Sequence, residues 1–200
     1  MGNPAVANIL KSNAVTWIAP EGEAFPDETT VAAGAAWGGN WERIGFTKEP
    51  LKLAYEDEEA DWNVEENIMA VGRVKISEEA ALETVLAELT GEYLQYALDG
   101  TLTVTAAGAS QKGYEQLLAG GVTLKAVYTI GFEGIRYNAS AIALPLRMGF
   151  YRATLRLNGE LEFSKRSDET TGVPLQARAL GREDGSSPIW FQRVTAPATS

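Results

Sequence analysis

The sequence predicts a mainly β protein with one α-helix at about residues 77–98. Apolar and polar residues alternate with a period of two in several segments after residue 100, as expected of half-buried strands. Residues 77–98 instead carry apolar side chains at three- and four-residue spacing, which is typical of an amphipathic helix. The 200 residues are 45% hydrophobic and contain no linker that divides them into two halves. We therefore expect a single domain spanning residues 1–200.

The first forty residues predict a short strand between two irregular segments. Residues 1–13 are small and mixed in polarity, and we expect them to form an N-terminal arm. Residues 14–18 predict a strand that ends at Pro20. Residues 21–40 are rich in Pro, Gly, Ala and acidic side chains without a sustained period, so they predict a long loop. Loops of this length are usually functional or ordered by a partner.

Two short strands are predicted at residues 41–47 and 51–55, followed by an acidic run. Residues 56–61 read Glu-Asp-Glu-Glu-Ala-Asp, which favours a solvated loop. A calcium-binding EF-hand does not fit here, because Trp62 occupies the position of the turn glycine and Ile68 that of the closing glutamate. Residues 67–76 predict a further strand that leads into the helix.

The predicted helix has recognisable ends. Ser77 is a plausible N-cap, and Glu78 and Glu79 place negative charge where the free N–H groups of a first helical turn favour it. Gly91 lies inside the pattern, where glycine costs about 1 kcal/mol relative to alanine, so the segment is one kinked helix or two helices. The Asp99-Gly100 pair is expected to end it. The apolar stripe consists of Leu82, Val85, Leu86, Leu89, Tyr93, Tyr96 and Ala97.

The second half of the sequence predicts a series of strands. Alternation predicts strands near residues 101–106, 123–130 and 142–148, and Pro145 within the last of these favours a sheet edge or a bulge. Asn158-Gly159 is a strong type I′ turn signal, which predicts a hairpin between residues 151–157 and 160–164. Two more strands are predicted at residues 175–180 and 189–194, before a C-terminal extension at residues 195–200.

The composition argues against an enzyme. The chain contains neither His nor Cys, which excludes a Ser-His-Asp triad, a cysteine nucleophile and a zinc site of the usual ligands. The phosphate-binding loop, the dinucleotide-binding glycine pattern and the nucleophile elbow are also missing. Acidic residues are abundant, but the sequence does not single out two of them as a glycosidase pair. We expect no catalytic residue, no metal and no cofactor.

Charge is distributed unevenly along the chain. Residues 1–100 contain 19 acidic and 6 basic residues, a net charge of −13, whereas residues 101–200 contain 8 acidic and 11 basic residues, a net charge of +3. Both sets could simply be solvated, or the acidic surface of one copy could meet the basic surface of the next. A chain with a formal charge of −10 is not expected to grip nucleic acid by neutralising phosphates.

The sequence also bears on location and on sugar binding. We expect neither a secretion signal nor a membrane span, because no basic apolar leader and no run of eighteen apolar residues occurs. The five Trp residues allow two interpretations. In a monomeric carbohydrate-binding β-sandwich they would lie flat on an exposed face, whereas in the interpretation we favour most of them are core or subunit-interface anchors. The five are Trp17, Trp37, Trp41, Trp62 and Trp190.

One stretch resembles the major tail tube proteins of long-tailed, siphovirus-type bacteriophages. It begins with a Trp-x-x-Ile-Gly-Phe-Thr strand at residues 41–47, continues through an acidic stretch and a second strand to Ile76, and then reads Ser-Glu-Glu at the start of the predicted helix. Glu-Leu-Thr-Gly-Glu-Tyr-Leu follows at residues 88–94. The resemblance covers roughly residues 41–100. The family more often has Thr-Leu-Glu where this chain has Thr-Gly-Glu at residues 90–92.

The resemblance implies a tail-tube fold, which is a β-sandwich or barrel with one flanking helix. It further implies a virion structural subunit, assembled in the host cytoplasm, in which six copies form a ring and rings stack into a tube that conducts DNA without binding it specifically. Tape-measure and other tail proteins would be its partners, and no membrane is involved. A single-ring tail terminator or a bacterial secretion-tube protein would share the fold and is an open alternative.

The resemblance also suggests which residues make contacts. The loop at residues 21–40 and a segment at residues 48–67 would form the contacts between rings. The interface candidates are Trp37, Trp41, Glu56, Asp57, Glu58, Glu59, Asp61 and Trp62. For the lumen the candidates are Glu160 and Glu162, together with the threonines at 101, 103 and 105. Acidic side chains along the lumen would hold DNA away from the wall by repulsion that salt damps beyond about 8 Å.

Overall fold

A computed structural model describes residues 14–27, 31–62, 69–121, 124–137, 142–161 and 172–195. The predicted arm at residues 1–13, most of the predicted C-terminal extension and Glu162 lie outside these ranges. In chain order the elements are β1 (Val15–Pro20), β2 (Glu42–Ile44), β3 (Lys52–Trp62), β4 (Gly72–Leu86), α1 (Gly91–Leu98), β5 (Thr101–Thr105), β6 (Tyr114–Leu118), β7 (Val127–Tyr137), β8 (Ala143–Leu157), β9 (Val173–Ala179) and β10 (Ile189–Arg193).

Eight strands form one antiparallel sheet in the order β2-β1-β7-β8-β9-β4-β3, and β10 pairs with β8 beside this path. Strands β5 and β6 form a separate two-stranded sheet. The prediction of a mainly β chain with one helix is therefore confirmed. The barrel form is not: in the described residues the path ends at β2 on one side and at β3 on the other, so the sheet does not close.

The predicted helix at residues 77–98 is wrong over its first half. Residues up to Leu86 belong to β4, which pairs with β3 along one side and with β9 along part of the other. Ala80, Leu82 and Leu86 are buried and lie two or four residues apart, which is the period of a strand. Pairing with two neighbouring strands outweighs the helix propensity of the local Glu, Ala and Leu residues.

The helix that does form is α1, and its ends are capped. Thr90 rather than Ser77 is the N-cap, and its Oγ1 accepts a hydrogen bond from Tyr93 N at 3.2 Å. Gly91 is therefore the first helical residue and not a kink. Asp99 is the C-cap in the left-handed conformation, with φ of 51°, and the helix ends there as predicted.

The main core lies between α1 and one face of the large sheet. Its buried side chains come from β1, β2, β4, α1 and β7–β9: Ile18, Ile44, Ala80, Leu82, Leu86, Ala97, Ile130, Phe132, Phe150, Ala153, Leu155, Val173, Leu175 and Ala177. Tyr93, Leu94 and Tyr96 of α1 pack against this cluster. A single short helix therefore covers the centre of this face, where β7, β8 and β9 are neighbours.

A loop covers part of the opposite face. Residues 21–27 and 31–40, here named the aromatic loop, form neither strand nor helix, which confirms the predicted loop within the described residues. Gly131 of β7 and Gly149 of β8 are direct cross-strand partners on this face. A Cβ on Gly131 would lie 2.5 Å from the Trp37 ring, and one on Gly149 would lie 2.5 Å from Phe25. Because neither glycine has a side chain, the rings of Phe25 and Trp37 pack directly against the backbone of the sheet.

Strand β8 corrects two further predictions. It runs unbroken through the predicted strands at 142–148 and 151–157, and Pro145 lies within it although β8 is central in the sheet. The Pro145 carbonyl accepts a hydrogen bond from Val194 N at 3.1 Å. Because proline has no N–H to donate in return, Val194 O instead accepts a hydrogen bond from Arg136 Nη2 at 2.5 Å.

Among the described residues, the predicted hairpin does not form at Asn158-Gly159. Leu157 pairs with Leu175 of β9, and residues 160–161 form no strand. The rest of the predicted strand at 160–164 lies outside the described residues. The strands predicted at 175–180 and 189–194 are confirmed as β9 and β10, within two residues at each end. Strand β6 was not predicted.

Candidate interaction surface

The most exposed regular structure is the outer part of the β3–β4 hairpin. The acidic run predicted to be a loop is part of β3, all eleven residues of which are exposed. Strand β9 pairs with β4 only from Ala81 to Leu86, so residues 72–79 of β4 have β3 as their one strand neighbour among the described residues. We name residues 56–62 and 72–79 the hairpin arm. It extends the sheet beyond the core.

An irregularity divides the arm from the rest of the hairpin. Glu58 pairs with Ser77, but the next residue, Glu59, pairs with Lys75, so Ile76 is an extra residue on β4. Such a bulge changes which residues of the bulged strand share a face with their partners. Cross-strand partners have their side chains on the same side, which defines two faces of the arm.

One face of the arm carries a network of charges. Arg73 Nε lies 3.1 Å from Asp61 Oδ1 and its Nη1 lies 3.6 Å from Glu59 Oε2. Lys75 Nζ lies 3.1 Å from Glu78 Oε2 and donates to the Tyr55 hydroxyl at 2.5 Å. These contacts hold both cations on this face of the arm, where their charges partly neutralise the charges of the acidic side chains of β3.

The same network shifts two pKa values. The hydrogen bonds from Lys75 to Tyr55 and to Glu78 raise the pKa of the Lys75 ammonium. The hydrogen bonds from Lys75 and Tyr55 lower the pKa of the Glu78 carboxyl. Both groups are exposed, so we assign the network to the local order of the arm rather than to a large stabilisation of the fold.

The other face of the arm is apolar towards its end. Ala60 pairs with Val74, and Trp62, two residues further on, pairs with Gly72. The Trp62 side chain is 64% exposed and Val74 is 55% exposed. The hairpin continues into further exposed apolar side chains at Met69 and Val71, and Ile76 at the bulge is exposed as well. Several exposed apolar side chains on neighbouring segments are typical of an interaction site.

The arm is also acidic as a whole. Its fifteen residues contain seven acidic and two basic side chains, a net charge of −5. An apolar surface rimmed by charge is the usual composition of a site that binds another protein, because the apolar part supplies affinity and the rim excludes wrong partners.

The interface candidates from the sequence fall into two groups. Glu56, Asp57, Glu58, Glu59, Asp61 and Trp62 all lie exposed on β3. Trp37 and Trp41 instead lie in the cluster under the aromatic loop, 4% and 8% exposed. Of the lumen candidates, Glu160 is exposed just after β8, and Glu162 lies outside the described residues. The lumen assignment stays a prediction.

Sequence reasoning predicted only part of the β4 half of this surface. Arg73, Val74, Lys75 and Ile76 alternate charged and apolar side chains, which is a strand signal. The strand predicted at residues 67–76 is confirmed from Gly72 to Ile76, but the helix predicted from Ser77 is wrong for residues 77–79, which pair with residues 56–58 of the acidic run. The acidic run at residues 56–61 and the basic and apolar run at residues 73–76 have complementary charges. This complementarity is the signal in the sequence that indicates their pairing.

The opposite charges of the two halves of the chain meet within one copy. Lys125 Nζ lies 2.6 Å from Asp99 Oδ2, and Arg152 Nε lies 2.5 Å from Glu21 Oε1. Arg178 forms a third such pair with Glu79. Part of the charge asymmetry is therefore neutralised inside the chain. Contact between the acidic surface of one copy and the basic surface of another stays a prediction.

The tryptophans can now be compared with the two interpretations. Trp17, Trp37 and Trp41 are buried together, with Trp17 and Trp37 stacked at a centroid distance of 5.5 Å. Trp190 is half-buried and stacks on Phe25 at 4.3 Å. Three of the five are thus core residues, as the favoured interpretation expects. Trp62 is the exposed one, at 64%.

Comparison with known proteins finds no family model and no curated protein that matches the chain. No helix in the described ranges is long and apolar enough to cross a bilayer. The described residues also form no cluster of three or more carboxylates that could hold a metal ion.

Proposed function

We propose that the chain is a structural subunit of a bacteriophage tail tube, in which copies form rings and the rings stack around a lumen that conducts DNA. The observation that carries this proposal is the hairpin arm: two strands that leave the core and end in an exposed Trp62 beside Val74. A monomer gains little from such an extension, since it buries almost none of it. A subunit that inserts the arm against a neighbouring copy gains an anchor.

The energetics of association support this use of the arm. Buried aromatic residues at the centre of an interface contribute most to binding, and loss of one typically costs about 2 kcal/mol or more. Trp62 has the required size, and Glu56 and Glu58, which share its face of β3, would form part of the polar rim. In the proposed assembly the apolar face of the arm contacts a copy in the next ring.

The borders of the large sheet support contacts within a ring. The outer edge of β3 has no strand neighbour among the described residues, and neither has that of β2 at the other end. Such edges present unpaired N–H and C=O groups that can pair with another strand. In a closed ring of identical subunits each edge is completed by a neighbour, and the resemblance in the sequence sets the ring at six copies.

The net charge supports a conduit that does not bind its cargo. Six copies with a formal charge of −10 each would carry about −60. Acidic side chains such as Glu160 along the lumen would repel DNA phosphates over roughly the 8 Å screening length of physiological salt. In this proposal the protein belongs to the virion, assembles in the host cytoplasm and contacts a tape-measure protein and other tail proteins.

Assembly of the purified protein tests the proposal. We expect negative-stain electron microscopy and sedimentation velocity to show rings or tubes at high protein concentration. Trp62→Ala should weaken assembly by about 30-fold or more in concentration, following the energy of a central anchor. Phe191→Ala is the matched control, because Phe191 is a large apolar side chain that is 55% exposed on β10, away from the arm. A wild-type chain that stays monomeric would contradict the proposal.

One observation favours a second candidate, a monomeric carbohydrate-binding module. An exposed Trp62 beside Gly72, whose added Cβ would lie 3.7 Å from the ring, offers an accessible indole face to a sugar. In that case the wild-type protein is a monomer that binds oligosaccharides, and Trp62→Ala abolishes sugar binding without changing the sedimentation coefficient. The two candidates therefore differ in what the same variant does.

A further inference from the structure

A cleft with a volume of about 320 Å³ opens beside α1, where it faces the end of β1 and the starts of β2 and β7. The residues that line this cleft do not include any residue of the hairpin arm. The volume is at the lower end of the range for ligand pockets, about 300–1,000 Å³, so the guest must be small. The side chains that determine its chemistry are Trp41, Glu42, Tyr96 and Tyr128.

Two tyrosine rings border this cleft. The rings of Tyr96 and Tyr128 are nearly perpendicular, with an interplanar angle of 82° and centroids 5.4 Å apart. Trp41 also lines the cleft, but its ring packs against Trp37 and Phe25, and its Nε1 donates to Ala24 O at 2.9 Å. Rings fixed at different angles around one space are the arrangement that binds a cation through their electron-rich faces.

Acidic side chains lie at one end of the cleft. Glu42 lines it directly, and Glu92 accepts a hydrogen bond from the Tyr96 hydroxyl at 3.4 Å. Burial raises the pKa of Tyr96, and the charges of Glu92 and Glu42 raise it further. Among the described residues no Lys or Arg lies within salt-bridge distance of either carboxylate. Among the described residues, neither carboxylate at this end of the cleft therefore takes part in a salt bridge.

The other end of the cleft differs. Burial and then the charge of Asp99 raise the pKa of Tyr128. Asp99, however, is paired with Lys125 at 2.6 Å and also accepts from Ala126 N at 3.3 Å. Its charge is thus largely balanced within the chain, and the unpaired negative charge lies on the side of Glu42 and Glu92.

We propose that this cleft binds an organic cation, either an alkylated ammonium or a guanidinium group. The aromatic rings contact the faces or methyl groups of the guest, and Glu42 neutralises its charge. The inference does not rest on the tail-tube proposal, because the cleft is formed within one chain. The guest is either a free small molecule or a Lys or Arg side chain from another copy.

Titration with matched probes tests the proposal. Choline and N-acetylarginine amide are added to the purified protein, and 3,3-dimethyl-1-butanol serves as the uncharged analogue of choline. We expect choline or the arginine derivative to change tryptophan fluorescence and the NMR signals of Tyr96 and Tyr128 in a saturable manner, while the alcohol does not. Equal binding of choline and the alcohol, or binding of none of the three, overturns the proposal.

Variants separate the roles of charge and rings. Glu42→Gln should weaken choline binding by about 2- to 5-fold, the range of an exposed charge pair. The control is Glu56→Gln, which makes the same charge change on the hairpin arm and should leave binding unchanged. Tyr96→Phe keeps the ring and should retain binding, whereas Tyr96→Leu should weaken it by about 2- to 30-fold. Unchanged binding in both Glu42→Gln and Tyr96→Leu overturns the assignment.

The source of the guest follows from the effect of choline on assembly. If a basic side chain of a second copy occupies the cleft, saturating choline lowers the sedimentation coefficient of the assembled protein, and Glu42→Gln does so too. If the guest is a free cation, choline binds without changing sedimentation. Either result supports cation binding, and the two assign it to different sources.

Discussion

Arg147 of β8 and Glu133 of β7 form a buried ion pair in which Arg147 Nε donates to Glu133 Oε2 at 2.6 Å, with side chains 1% and 3% exposed. The pair also holds the aromatic loop. Trp37 Nε1 and Gly34 N donate to the Glu133 carboxylate, and Arg147 Nη2 donates to Val31 O at 2.7 Å. The loop is therefore fixed to the sheet by charge-assisted hydrogen bonds as well as by its rings.

Arg147→Met should lower the free energy of unfolding by about 3–5 kcal/mol, because it leaves the Glu133 carboxylate buried without its cation. Methionine keeps most of the length of the side chain, so a cavity is not the main effect. Urea unfolding monitored by circular dichroism measures the loss. Arg73→Met is the control: that arginine also contacts two carboxylates but its side chain is 68% exposed, so its loss should stay below about 1 kcal/mol. Similar losses in the two variants would refute the assignment.

Gly131→Ala should destabilise the protein by about 1–3 kcal/mol, because the new methyl group overlaps the Trp37 ring. The displaced ring should also change the tryptophan emission spectrum. Gly181→Ala is the control, since a Cβ there meets no atom within 4 Å and the backbone is not left-handed. It should be neutral or slightly stabilising. A second variant, Gly131→Ala with Trp37→Phe, should recover part of the loss if the overlap is the cause.

Stability should fall at alkaline pH because of Tyr96 and Tyr128. Burial raises both pKa values above the ordinary tyrosine value of about 10. The unfolded chain therefore loses these two protons at lower pH than the folded chain does. The stabilisation is complete below pH 10 and is lost as the pH rises through the folded-state values. Absorbance at 295 nm should show fewer phenolates at pH 11 in the native protein than in urea. Full native ionisation at that pH would disprove the shift.

The hairpin arm should exchange its amide hydrogens faster than the centre of the sheet when the protein is monomeric. Among the described residues its strands form backbone pairs only with each other, and its side chains are exposed apart from half-buried Gly72, so it opens without unfolding the core. Hydrogen exchange measured by mass spectrometry should show low protection at residues 56–62 and 72–79 and high protection in β8. Assembly should then raise protection in the arm. Equal protection of the arm and β8 in the monomer would be inconsistent with this.

The helix shows where sequence reasoning failed. Leu82, Val85, Leu86 and Leu89 fit a helical stripe, but Ala80, Leu82, Thr84 and Leu86 fit a strand equally well. A single sequence does not decide between helix and strand here, because pairing with β3 and β9 decides it. Strand β9 is distant in the chain, and the acidic run of β3 predicts a loop. What was local was predicted correctly: Asp99-Gly100 ends the helix.

The prediction of a loop for the acidic run is wrong for a related reason. Glu and Asp disfavour strands, and residues 56–61 predict a loop on that basis. The strand forms because the exposed side chains remain solvated and because Arg73 and Lys75 lie across from the acids. The sequence did identify Trp62 and these acids as a candidate surface. It could not show that Trp37 and Trp41 are buried within the same chain, in a cluster with Trp17.

The extra residue at Ile76 determines the direction from which a neighbour reaches Trp62. Leu53 and Tyr55 share the helix-covered side of the sheet with Leu82, and strict alternation along β3 places Trp62 on the reverse side. The inserted residue places Val74 on that reverse side as well. Without it, the register would place Val74 on the same side of the sheet as Leu82. A molecule that docks on the indole must therefore arrive from behind the sheet, and deleting one residue at this position would turn the apolar end of β4 to the front.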